Sequence, residues 1–329
     1  MREILFDRFG GPDVLTLHTD SPRPEPAEGE VLVEVAYAGL NPLDFKIRDG
    51  SSGRAADLVL PAGTGREMVG TVIGAGAGLD AAELASRGLA PGTRVFGMRG
   101  PADQRGVAAE VAAFAADDLA PVPEEVSAQE LPRWAGLALA GLTAIATVQD
   151  AARLRAGSTV LIHGGSGGVG QLLIPMAKEA GAARVWATGR AANAERIREL
   201  GAEPIAYDEV DWRQALREAT DGDWVDVVLD THYFSTFEPS LDVLRGQDSV
   251  IVALPSLADL APAEARGITA RIPRIVTGRD RLDRLVQGMR SGAYPLEASR
   301  VLPLAEIAEA HRLLEEGHTR GKLVVDVRA

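Results

Sequence analysis

One stretch in the middle of the chain decides the fold: Thr159-Val160-Leu161-Ile162-His163-Gly164-Gly165-Ser166-Gly167-Gly168-Val169-Gly170. Its first five residues have the length and apolar character of a buried strand, and a helical segment, residues 171–180, follows the glycines. In the spacing G-x-G-x-x-G, the first glycine makes a tight turn, the second lets amides approach a pyrophosphate, and the third lets the helix pack on the strand. The helix N-terminus then faces the anion with its amides and its positive dipole end. The stretch therefore predicts a dinucleotide-binding loop made of Gly165, Ser166, Gly167, Gly168, Val169 and Gly170.

The next apolar run, residues 184–187, bears on the choice between NADH and NADPH. In NAD-binding proteins, a carboxylate near the end of this strand binds the ribose 2′-hydroxyl. This chain has Thr188-Gly189-Arg190 there, and hydroxyl and guanidinium donors favour a 2′-phosphate that a carboxylate would repel. We therefore predict NADPH as the cofactor, with Thr188, Arg190 and Asn193 near the 2′-phosphate. The alternative interpretation of Arg190 is a solvated loop arginine.

The predicted secondary structure differs between the parts of the chain before and after residue 127. After it, Ala-rich helical runs, the first over residues 129–152, alternate with short apolar strands. This alternation predicts right-handed βαβ units and a parallel sheet covered on both faces, which is a Rossmann-like arrangement. Before residue 127, short alternating runs broken by Gly and Pro predict a β-rich segment. The chain is therefore expected to be an α/β protein with two different domains.

Composition excludes several classes of function. The 329 residues include 34 Lys and Arg against 47 Asp and Glu, a net charge of −13, which argues against nucleic acid or anionic lipid as a partner. The absence of cysteine excludes disulfides, a thiol nucleophile, iron–sulfur clusters and thiolate-bound zinc. The five histidines are scattered, so we predict no metal. No apolar run has the length of a membrane span and no signal peptide is evident, so we expect a cytoplasmic protein without a membrane partner.

Short motifs occur in a characteristic order along the chain. They are Phe6-Asp7-Arg8-Phe9-Gly10-Gly11-Pro12, Gly39-Leu40-Asn41-Pro42-Leu43-Asp44-Phe45-Lys46-Ile47-Arg48, Leu139-Ala140-Gly141-Leu142-Thr143-Ala144, the glycine-rich loop, Val225-Asp226-Val227-Val228-Leu229-Asp230, Ala310-His311-Arg312-Leu313-Leu314 and Arg320-Gly321-Lys322. Together they resemble the medium-chain dehydrogenase/reductase superfamily, and more narrowly its zinc-independent quinone oxidoreductase-like branch, essentially from end to end.

This resemblance implies a GroES-like β-rich catalytic domain formed by both ends of the chain, with a Rossmann-like, doubly wound parallel-sheet domain inserted between them. We expect the first part of the catalytic domain over residues 1–122, the NADPH-binding domain over 123–265 and the return segment over 266–329. A cleft between the domains and a homodimer are also implied. The apolar strand expected over residues 248–254 is a candidate sheet edge for pairing across a two-fold axis.

Two positions bear on zinc. In zinc-containing relatives, a ligand Cys lies in the region of Asn41, and a ligand His follows the glycine of a G-H-E motif. This chain has Gly65-Arg66-Glu67 at the second position, and an arginine does not deprotonate to become a ligand. The four-cysteine structural lobe of those relatives is also missing. The resemblance therefore implies that both zinc sites are absent.

Zinc-free members of the branch transfer a hydride from NADPH to a quinone or to the β-carbon of an α,β-unsaturated carbonyl. The catalytic candidates are Asn41, Lys46 and Thr143, and Asn41 and Thr143 are also assigned to the cofactor. Asn41 has an amide to donate to the nicotinamide ribose or a substrate oxygen. The run Asn41-Pro42-Leu43-Asp44 is also a good helix start, with Asn at the N-cap, Pro at the first helical position and Asp at the third. Lys46 is a candidate charge stabiliser or proton donor, and the alternative interpretation is a solvated lysine. Thr143 resembles the family threonine near the nicotinamide, and the alternative is a helix hydroxyl that bonds the preceding turn.

The remaining candidates are assigned to the cofactor or to the substrate pocket. Tyr207 resembles a tyrosine that flanks the adenosine end of the cofactor, or it is simply an aromatic residue at a strand end. Lys322 matches a family lysine that contacts the cofactor or bridges the domains. We assign Arg66, His232 and Tyr233 to the substrate pocket. The bulky residues 232–234 stand where relatives often have glycine, so they shape the pocket, or they form a loop packed on the sheet.

The leading hypothesis for function is an NADPH-dependent quinone or enone reductase acting on a small molecule. The alternative is a natural-product tailoring protein of the same fold, whose pocket guides a cyclisation or another non-redox step with NADP(H) retained structurally. A third hypothesis is a crystallin-like NADPH-binding protein with little turnover.

Overall fold

The computed structural model describes residues 1–100, 103, 105–255, 257–317 and 319–329. The chain divides into two compact units. Unit 1 consists of Met1–Leu139, Val276–Ser291 and Leu296–Ala329, and unit 2 consists of Ala140–Ile275 and Gly292–Pro295. The predicted fold class is confirmed, because unit 1 is β-rich and formed by both chain ends, whereas unit 2 alternates strands and helices around a parallel sheet.

The secondary structure begins with the β-rich part. Its elements in chain order are β1 (Glu3–Phe6), β2 (Thr16–His18), β3 (Glu30–Leu40), α1 (Pro42–Arg48), β4 (Ala62–Gly63), β5 (Glu67–Ala75), α2 (Ala81–Ser86), β6 (Arg94–Met98), β7 (Val111–Ala115), β8 (Leu119–Pro121), α3 (Leu131–Ala135) and α4 (Leu137–Ile145). A π-helical segment, Ala146–Ala151, continues α4.

The middle of the chain alternates strands and helices. These elements are β9 (Thr159–His163), α5 (Gly170–Glu179), β10 (Arg184–Gly189), α6 (Ala194–Leu200), β11 (Glu203–Ala206), α7 (Trp212–Ala219), β12 (Val227–Asp230), α8 (Phe237–Leu241), β13 (Val250–Ala253), α9 (Ala261–Glu264) and β14 (Thr269–Arg271). The chain then returns to unit 1 with α10 (Arg279–Ser291), β15 (Ala298–Pro303), α11 (Ile307–Glu316) and β16 (Lys322–Asp326).

The main sheet of unit 1 joins both ends of the chain. Its strands run in the order β15-β16-β3-β5-β6-β8, with β7 also paired to β3, and β2-β1-β4 form a smaller sheet. Along β3, Val31, Val33 and Val35 are at most 1% exposed, as the period-2 alternation requires of a strand with one face on a core. Antiparallel pairing of β16 with β3 makes the C-terminal segment an integral part of this unit.

The sheet of unit 2 is entirely parallel, in the order β11-β10-β9-β12-β13-β14. Its central strand β9 is buried at every position except the first, as expected when helices cover both faces. The order reverses between β9 and β12, so the glycine-rich loop after β9 lies at the switch point where such sheets bind ligands.

The boundaries of the compact units differ from the predicted ones. Residues 123–139 were assigned to the nucleotide-binding domain, but α3 packs on β3 and β5 and belongs to unit 1. Residues 266–275 were assigned to the return segment, but β14 pairs with β13 and extends the sheet of unit 2. In both places packing partners that are distant in sequence decide the boundary.

Two predicted elements are corrected. The helix expected over residues 129–152 is interrupted at Gly136, between α3 and α4. The strand expected at a sheet edge over residues 248–254 is β13, which is internal because β12 and β14 flank it. Of the described residues, no single helix is long and apolar enough to cross a membrane, although the bent pair Ala128–Ala135 and Leu137–Ala151 meets the length and hydropathy requirement together.

Candidate functional sites of the two units

The glycine-rich loop of unit 2 forms a tight cradle. Gly164 has a left-handed φ of +76°, and its carbonyl oxygen accepts a hydrogen bond from the Gly167 amide at 3.0 Å. This hydrogen bond closes a turn whose central residues are Gly165 and Ser166, so Gly165 lies within the tight turn, which the left-handed Gly164 begins. A Cβ on Gly170 would lie 2.1 Å from the Gly164 carbonyl oxygen, so α5 approaches the turn as closely as the motif predicts.

Two further contacts hold this cradle closed. A Cβ on Gly165 would lie 2.6 Å from the Cβ of Ala187 in β10, so any side chain there would push the loop off the sheet. The Gln171 side chain in α5 donates to the Ser166 carbonyl at 3.1 Å and accepts from buried Arg196 at 3.1 Å. Sequence reasoning missed these two side chains, because neither belongs to the glycine motif. A cradle that admits only backbone fits a pyrophosphate at a helix N-terminus.

The end of β10 bears on the 2′-phosphate. Arg190 is exposed and begins the short turn Ala191–Asn193, as a phosphate-binding arginine requires, and Asn193 is half-buried in that turn. Sequence reasoning missed a carboxylate at this position: Asp208 accepts from the Ala191 amide at 2.9 Å. Tyr207, just before it, is 43% exposed, and its amide donates to the Gly189 carbonyl at 3.1 Å.

Thr188 does not lie where a 2′-phosphate contact requires. It is 4% exposed, and its hydroxyl is 3.1 Å from His163 Nδ1 and accepts from the Gly164 amide at 3.2 Å. The His163 ring also contacts the Ser240 hydroxyl at 2.9 Å, and burial lowers the pKa of His163 to about 4. The predicted phosphate contact is therefore corrected: Thr188 positions the start of the loop.

A strained turn follows β12 and lies beside the same loop. The fully buried Asp230 accepts from the amides of His232 and Tyr233 at 3.0 and 2.8 Å. Tyr233 has a φ of +74°, a conformation that costs an aromatic residue about 1 kcal/mol or more. Its hydroxyl bonds the backbone of Asp259, at 2.7 Å from the amide, and His232 is exposed. The alternative interpretation of this turn, a loop packed on the sheet, fits Tyr233, whose hydroxyl is held by the backbone. It fits the exposed His232 less well.

Unit 1 contains a buried charge network. Glu67, at the start of β5, is 0% exposed and accepts from Lys322 Nζ and Asn41 Nδ2, both at 2.8 Å. Lys322 also donates to Asn41 Oδ1, and the second Glu67 oxygen accepts from the Leu139 amide at 2.7 Å. The network pairs a buried carboxylate with a buried ammonium and satisfies both Glu67 oxygens, as buried ions require.

Two glycines let the backbone close around this network. A Cβ on Gly39 would lie 2.9 Å from Glu67 Cγ, and one on Gly136 would lie 2.8 Å from Lys322 Cγ. The break between α3 and α4 thus falls where the chain passes over the lysine side chain. Since Lys322 is 4% exposed and its ammonium is held by Asn41 and Glu67, the predicted contact of Lys322 with a cofactor is corrected to that of an internal counter-ion.

Asn41 precedes α1 as predicted, with Pro42 at the first helical position. Capping is performed by Asp44, whose Oδ2 accepts from the Asn41 amide at 2.7 Å, while the Asn41 side chain belongs to the charge network. Lys46, one turn further, is half-buried, and burial lowers its pKa. In unit 2, Thr143 is 9% exposed and its carbonyl accepts from the Thr147 hydroxyl at 2.7 Å.

A cavity of about 230 Å³ lies in unit 1 beside the network. Arg66 and Asp44 are among the residues that line it, so the structure brings together the predicted pocket residue Arg66 and a carboxyl group that the sequence suggested only as part of a helix cap. Burial raises the pKa of Asp44 to about 7, although the nearby charges of Arg66 and Lys322 oppose the rise.

These residues do not suit zinc. The Arg66 guanidinium has no lone pair to give, and Asn41 Oδ1 already accepts from Lys322. Within the described residues, no group of three or more His, Asp or Glu side chains is arranged to hold a metal ion. No step of the chemistry below is therefore assigned to a metal.

Comparisons with known proteins agree with this architecture. Residues 27–124 match the family described as "Alcohol dehydrogenase GroES-like domain", and residues 200–325 match "Zinc-binding dehydrogenase". The NADPH-dependent alkenal/one oxidoreductase of Arabidopsis thaliana chloroplasts is 30% identical over 99% of this chain and 79% of its own length.

Solved structures agree as well. The quinone oxidoreductase of Coxiella burnetii is 33% identical, with a TM-score of 0.88 over 99% of both chains. The Escherichia coli quinone oxidoreductase in complex with NADPH is 28% identical, with a TM-score of 0.85 over 99% of this chain and 100% of that one. The chain therefore belongs to the medium-chain dehydrogenase/reductase superfamily, in its quinone oxidoreductase-like branch.

Proposed function

We propose that this protein reduces a quinone, or the C=C bond of an α,β-unsaturated carbonyl compound, with NADPH as the hydride donor. The observation that carries the proposal is the glycine cradle at the switch point of the unit 2 sheet, with exposed Arg190 beyond the end of β10. It is supported by the Arabidopsis thaliana relative named as NADPH-dependent and by the Escherichia coli quinone oxidoreductase solved in complex with NADPH. When bound, the cofactor supplies the hydride, and the protein supplies binding and orientation.

Binding is assigned to the loop and its neighbours. The backbone of residues 165–170, including Ser166, Gly168 and Val169, holds the pyrophosphate; Arg190 and Asn193 bind the 2′-phosphate; and Tyr207 flanks the adenosine. Asp208 lies beside Arg190, so its charge reduces the selectivity for the 2′-phosphate without abolishing it. Thr143 is assigned to the nicotinamide end.

The chemistry needs a donor for the substrate oxygen and a proton for the reduced carbon. Asn41 has one N–H engaged by Glu67, and its second N–H is assigned to the ribose or to the substrate oxygen. Lys46 is assigned as the proton donor, since partial burial lowers its pKa and makes the ammonium a stronger acid. Arg66 is assigned to the substrate through the unit 1 cavity, and His232 and Tyr233 of unit 2 are assigned to the substrate as well.

The turn after β12 favours a second candidate function. Strained backbone at Tyr233 beside the exposed imidazole of His232 is the kind of feature that functional sites retain. It suits a tailoring protein in which NADP(H) is held structurally while the pocket guides a cyclisation or another non-redox step.

Absorbance at 340 nm distinguishes these functions. We expect NADPH to be oxidised in the presence of at least one member of a panel of quinones, enones and enoyl thioesters, and not in the absence of substrate. Tight NADPH binding without oxidation by any panel member would contradict the reductase and favour the tailoring function.

We further propose a cytoplasmic homodimer. The edge strand β14 (Thr269–Arg271) pairs with β13 on one side, and its other side is suited to pairing with a second copy. Light scattering at micromolar concentration is expected to give twice the chain mass of 34.6 kDa. A monomeric mass would contradict this proposal, as would recovery of the native protein in a membrane or organelle fraction.

A further inference from the structure

The unit 1 cavity has an unusual lining of charge. Its residues are Phe6, Asp44, Ile47, Arg54, Asp57, Leu58, Gly63, Thr64, Gly65, Arg66 and Asp103. Asp103 is already neutralised, because it pairs with Arg99 at 3.0 Å and Arg105 at 2.7 Å. The cavity is therefore apolar on the side of Phe6, Ile47 and Leu58 and strongly polar around Arg66.

Arg66 is a buried cation that forms no ion pair with any carboxylate in the part of the chain that the structure describes. It is 5% exposed, and among the described residues the one hydrogen bond of its guanidinium runs from Nη2 to the carbonyl of Gly100 at 3.0 Å. No described carboxylate lies within ion-pair distance of it, and burial lowers its pKa. Buried guanidinium groups are ordinarily paired with an anion, because loss of hydration is costly.

Asp44 supplies a second unsatisfied group at the same cavity. Its Oδ2 caps α1, but its Oδ1 is buried and has no hydrogen-bond partner. A buried oxygen without a hydrogen-bond partner destabilises the protein, because it has lost its contacts with water. A ligand with two adjacent oxygens would satisfy both groups: it would accept from the Arg66 fork and share a proton with Asp44 Oδ1.

We propose that the cavity recognises unsaturated substrates that carry a carboxylate, and that Arg66 binds this carboxylate as a specificity residue. The inference rests on the proposed reductase function and refines it to acidic enones. A planar carboxylate matches the guanidinium fork in geometry and charge. A dianion such as phosphate matches less well, because Asp44 and Asp57 line the same small space.

A matched substrate pair tests the proposal. The acid 4-oxopent-2-enoate and its methyl ester share the reducible C=C bond and the ketone and differ in one negative charge. We compare kcat/KM for both in the wild type and in Arg66→Gln, so that the intrinsic reactivity of each substrate cancels. The variant should lower the value for the acid by about tenfold to hundredfold and that for the ester by less than about threefold. Arg66→Lys keeps the positive charge but lacks the planar guanidinium, so it should lower kcat/KM for the acid by less than Arg66→Gln does.

Arg300→Gln is the control, because Arg300 is an exposed arginine of unit 1 and reports the effect of removing one distant positive charge. It should change neither value. The proposal is overturned if Arg66→Gln lowers acid and ester alike, or if it leaves the acid unaffected. Should Arg66→Gln fail to fold, the same comparison is read from Arg66→Lys.

Failure of the reductase function is distinguishable from failure of this inference. If neither compound oxidises NADPH, the proposed function fails for enones, and calorimetric binding of the saturated acid 4-oxopentanoate then tests the cavity alone. Binding of this acid in preference to its methyl ester, with loss of the preference in Arg66→Gln and a weakened preference in Arg66→Lys, supports the inference. Equal binding of acid and ester, or binding of neither, overturns it.

Discussion

The phosphate-binding loop of unit 2 and the charge network of unit 1 achieve rigidity in opposite ways. The loop works by the absence of side chains, since a Cβ at Gly165 or Gly170 would overlap a neighbour. The network works by side chains that are almost fully buried, with Lys322 and Asn41 both bound to Glu67. The first constraint is local along the chain, and the second joins residues that are up to 281 positions apart. Local backbone constraints are therefore visible in the sequence, whereas buried ion pairs become visible only in the fold.

The largest effect is expected from breaking the network. Lys322→Met leaves Glu67 as an unpaired buried carboxylate and should cost about 3–5 kcal/mol in the free energy of unfolding of unit 1. Thermal unfolding followed by circular dichroism measures this loss. The double variant Glu67→Gln/Lys322→Met removes both charges and should be more stable than Lys322→Met alone. If the double variant is less stable than Lys322→Met, the unpaired carboxylate of Glu67 is not the cause of the lost stability.

The next effect is a dependence of stability on pH. The folded-state pKa of Asp44 is raised to about 7 from 3.8 by burial, so the native state holds a proton that the unfolded state releases. Asp44 therefore contributes stability that is present below pH 4 and is lost as the pH rises through 7, by up to about 1.4 kcal/mol per pH unit. The charged groups around it are Arg54, Asp57, Arg66, Glu67, Asp103 and Lys322.

The variant Asp44→Asn isolates this contribution, because it keeps an oxygen to cap α1. The free energy of unfolding is measured by urea titration at pH 5 and at pH 8. The wild type should lose stability between the two pH values, so the variant should be more stable relative to the wild type at pH 8 than at pH 5. Asp20→Asn, at an exposed carboxylate, should show no such gain. A parallel pH dependence of Asp44→Asn and wild type would mean that Asp44 titrates normally.

Cofactor selectivity should respond to one exposed side chain. Arg190→Ala removes a charge-assisted contact worth about 1.5–3 kcal/mol, so the Kd for NADPH should rise about tenfold to hundredfold and that for NADH should change little. Arg198→Ala, an exposed arginine on α6, is the matched control. Asp208→Asn should strengthen NADPH binding, since it removes the carboxylate beside Arg190. If Arg190→Ala weakens the binding of NADPH and NADH equally, Arg190 does not bind the 2′-phosphate.

The smallest effect tests the loop itself. Gly165→Ala places a Cβ 2.6 Å from Ala187 Cβ and should cost about 1–3 kcal/mol through overpacking. A Cβ on Gly167 would lie 3.3 Å from the Gly164 carbonyl oxygen, so Gly167→Ala should destabilise less. Differential scanning calorimetry of both variants gives the order. The reverse order would show that the loop is not held closed against β10.

Much of unit 2 was predictable, because its signals are local. The strand predicted over residues 159–163 matches β9, and the glycine motif places the start of α5 correctly. The glycine motif placed Gly165 in the tight turn, where it is a central residue, but it gave no sign that Gly164 begins the turn in a left-handed conformation. Thr188 was misread for a related reason: its hydroxyl bonds to His163 on the neighbouring strand, and a single strand does not reveal which face points inward.

Unit 1 was predictable in outline but not in its site. The order of motifs was sufficient for the family and the fold class, which are confirmed. The motif residues Asn41, Arg66 and Lys322 were singled out, but the role of Lys322 depends on Glu67, which is 255 positions away. Asp44 was recognised as part of a helix cap, and its second oxygen at the cavity had no signal in the sequence. The residue roles in binding and catalysis remain predictions.

Hydride transfer is the central claim, and labelled cofactor tests it most directly. NADPH carrying deuterium at C4, prepared separately as its two stereoisomers, is incubated with the protein and the quinone and enone panel, and the recovered NADP⁺ is examined by mass spectrometry. We expect NADP⁺ from one stereoisomer to have lost its deuterium completely and NADP⁺ from the other to have kept it, with the label on the β-carbon of any reduced enone. Recovery of unchanged labelled NADPH with every substrate would contradict the account.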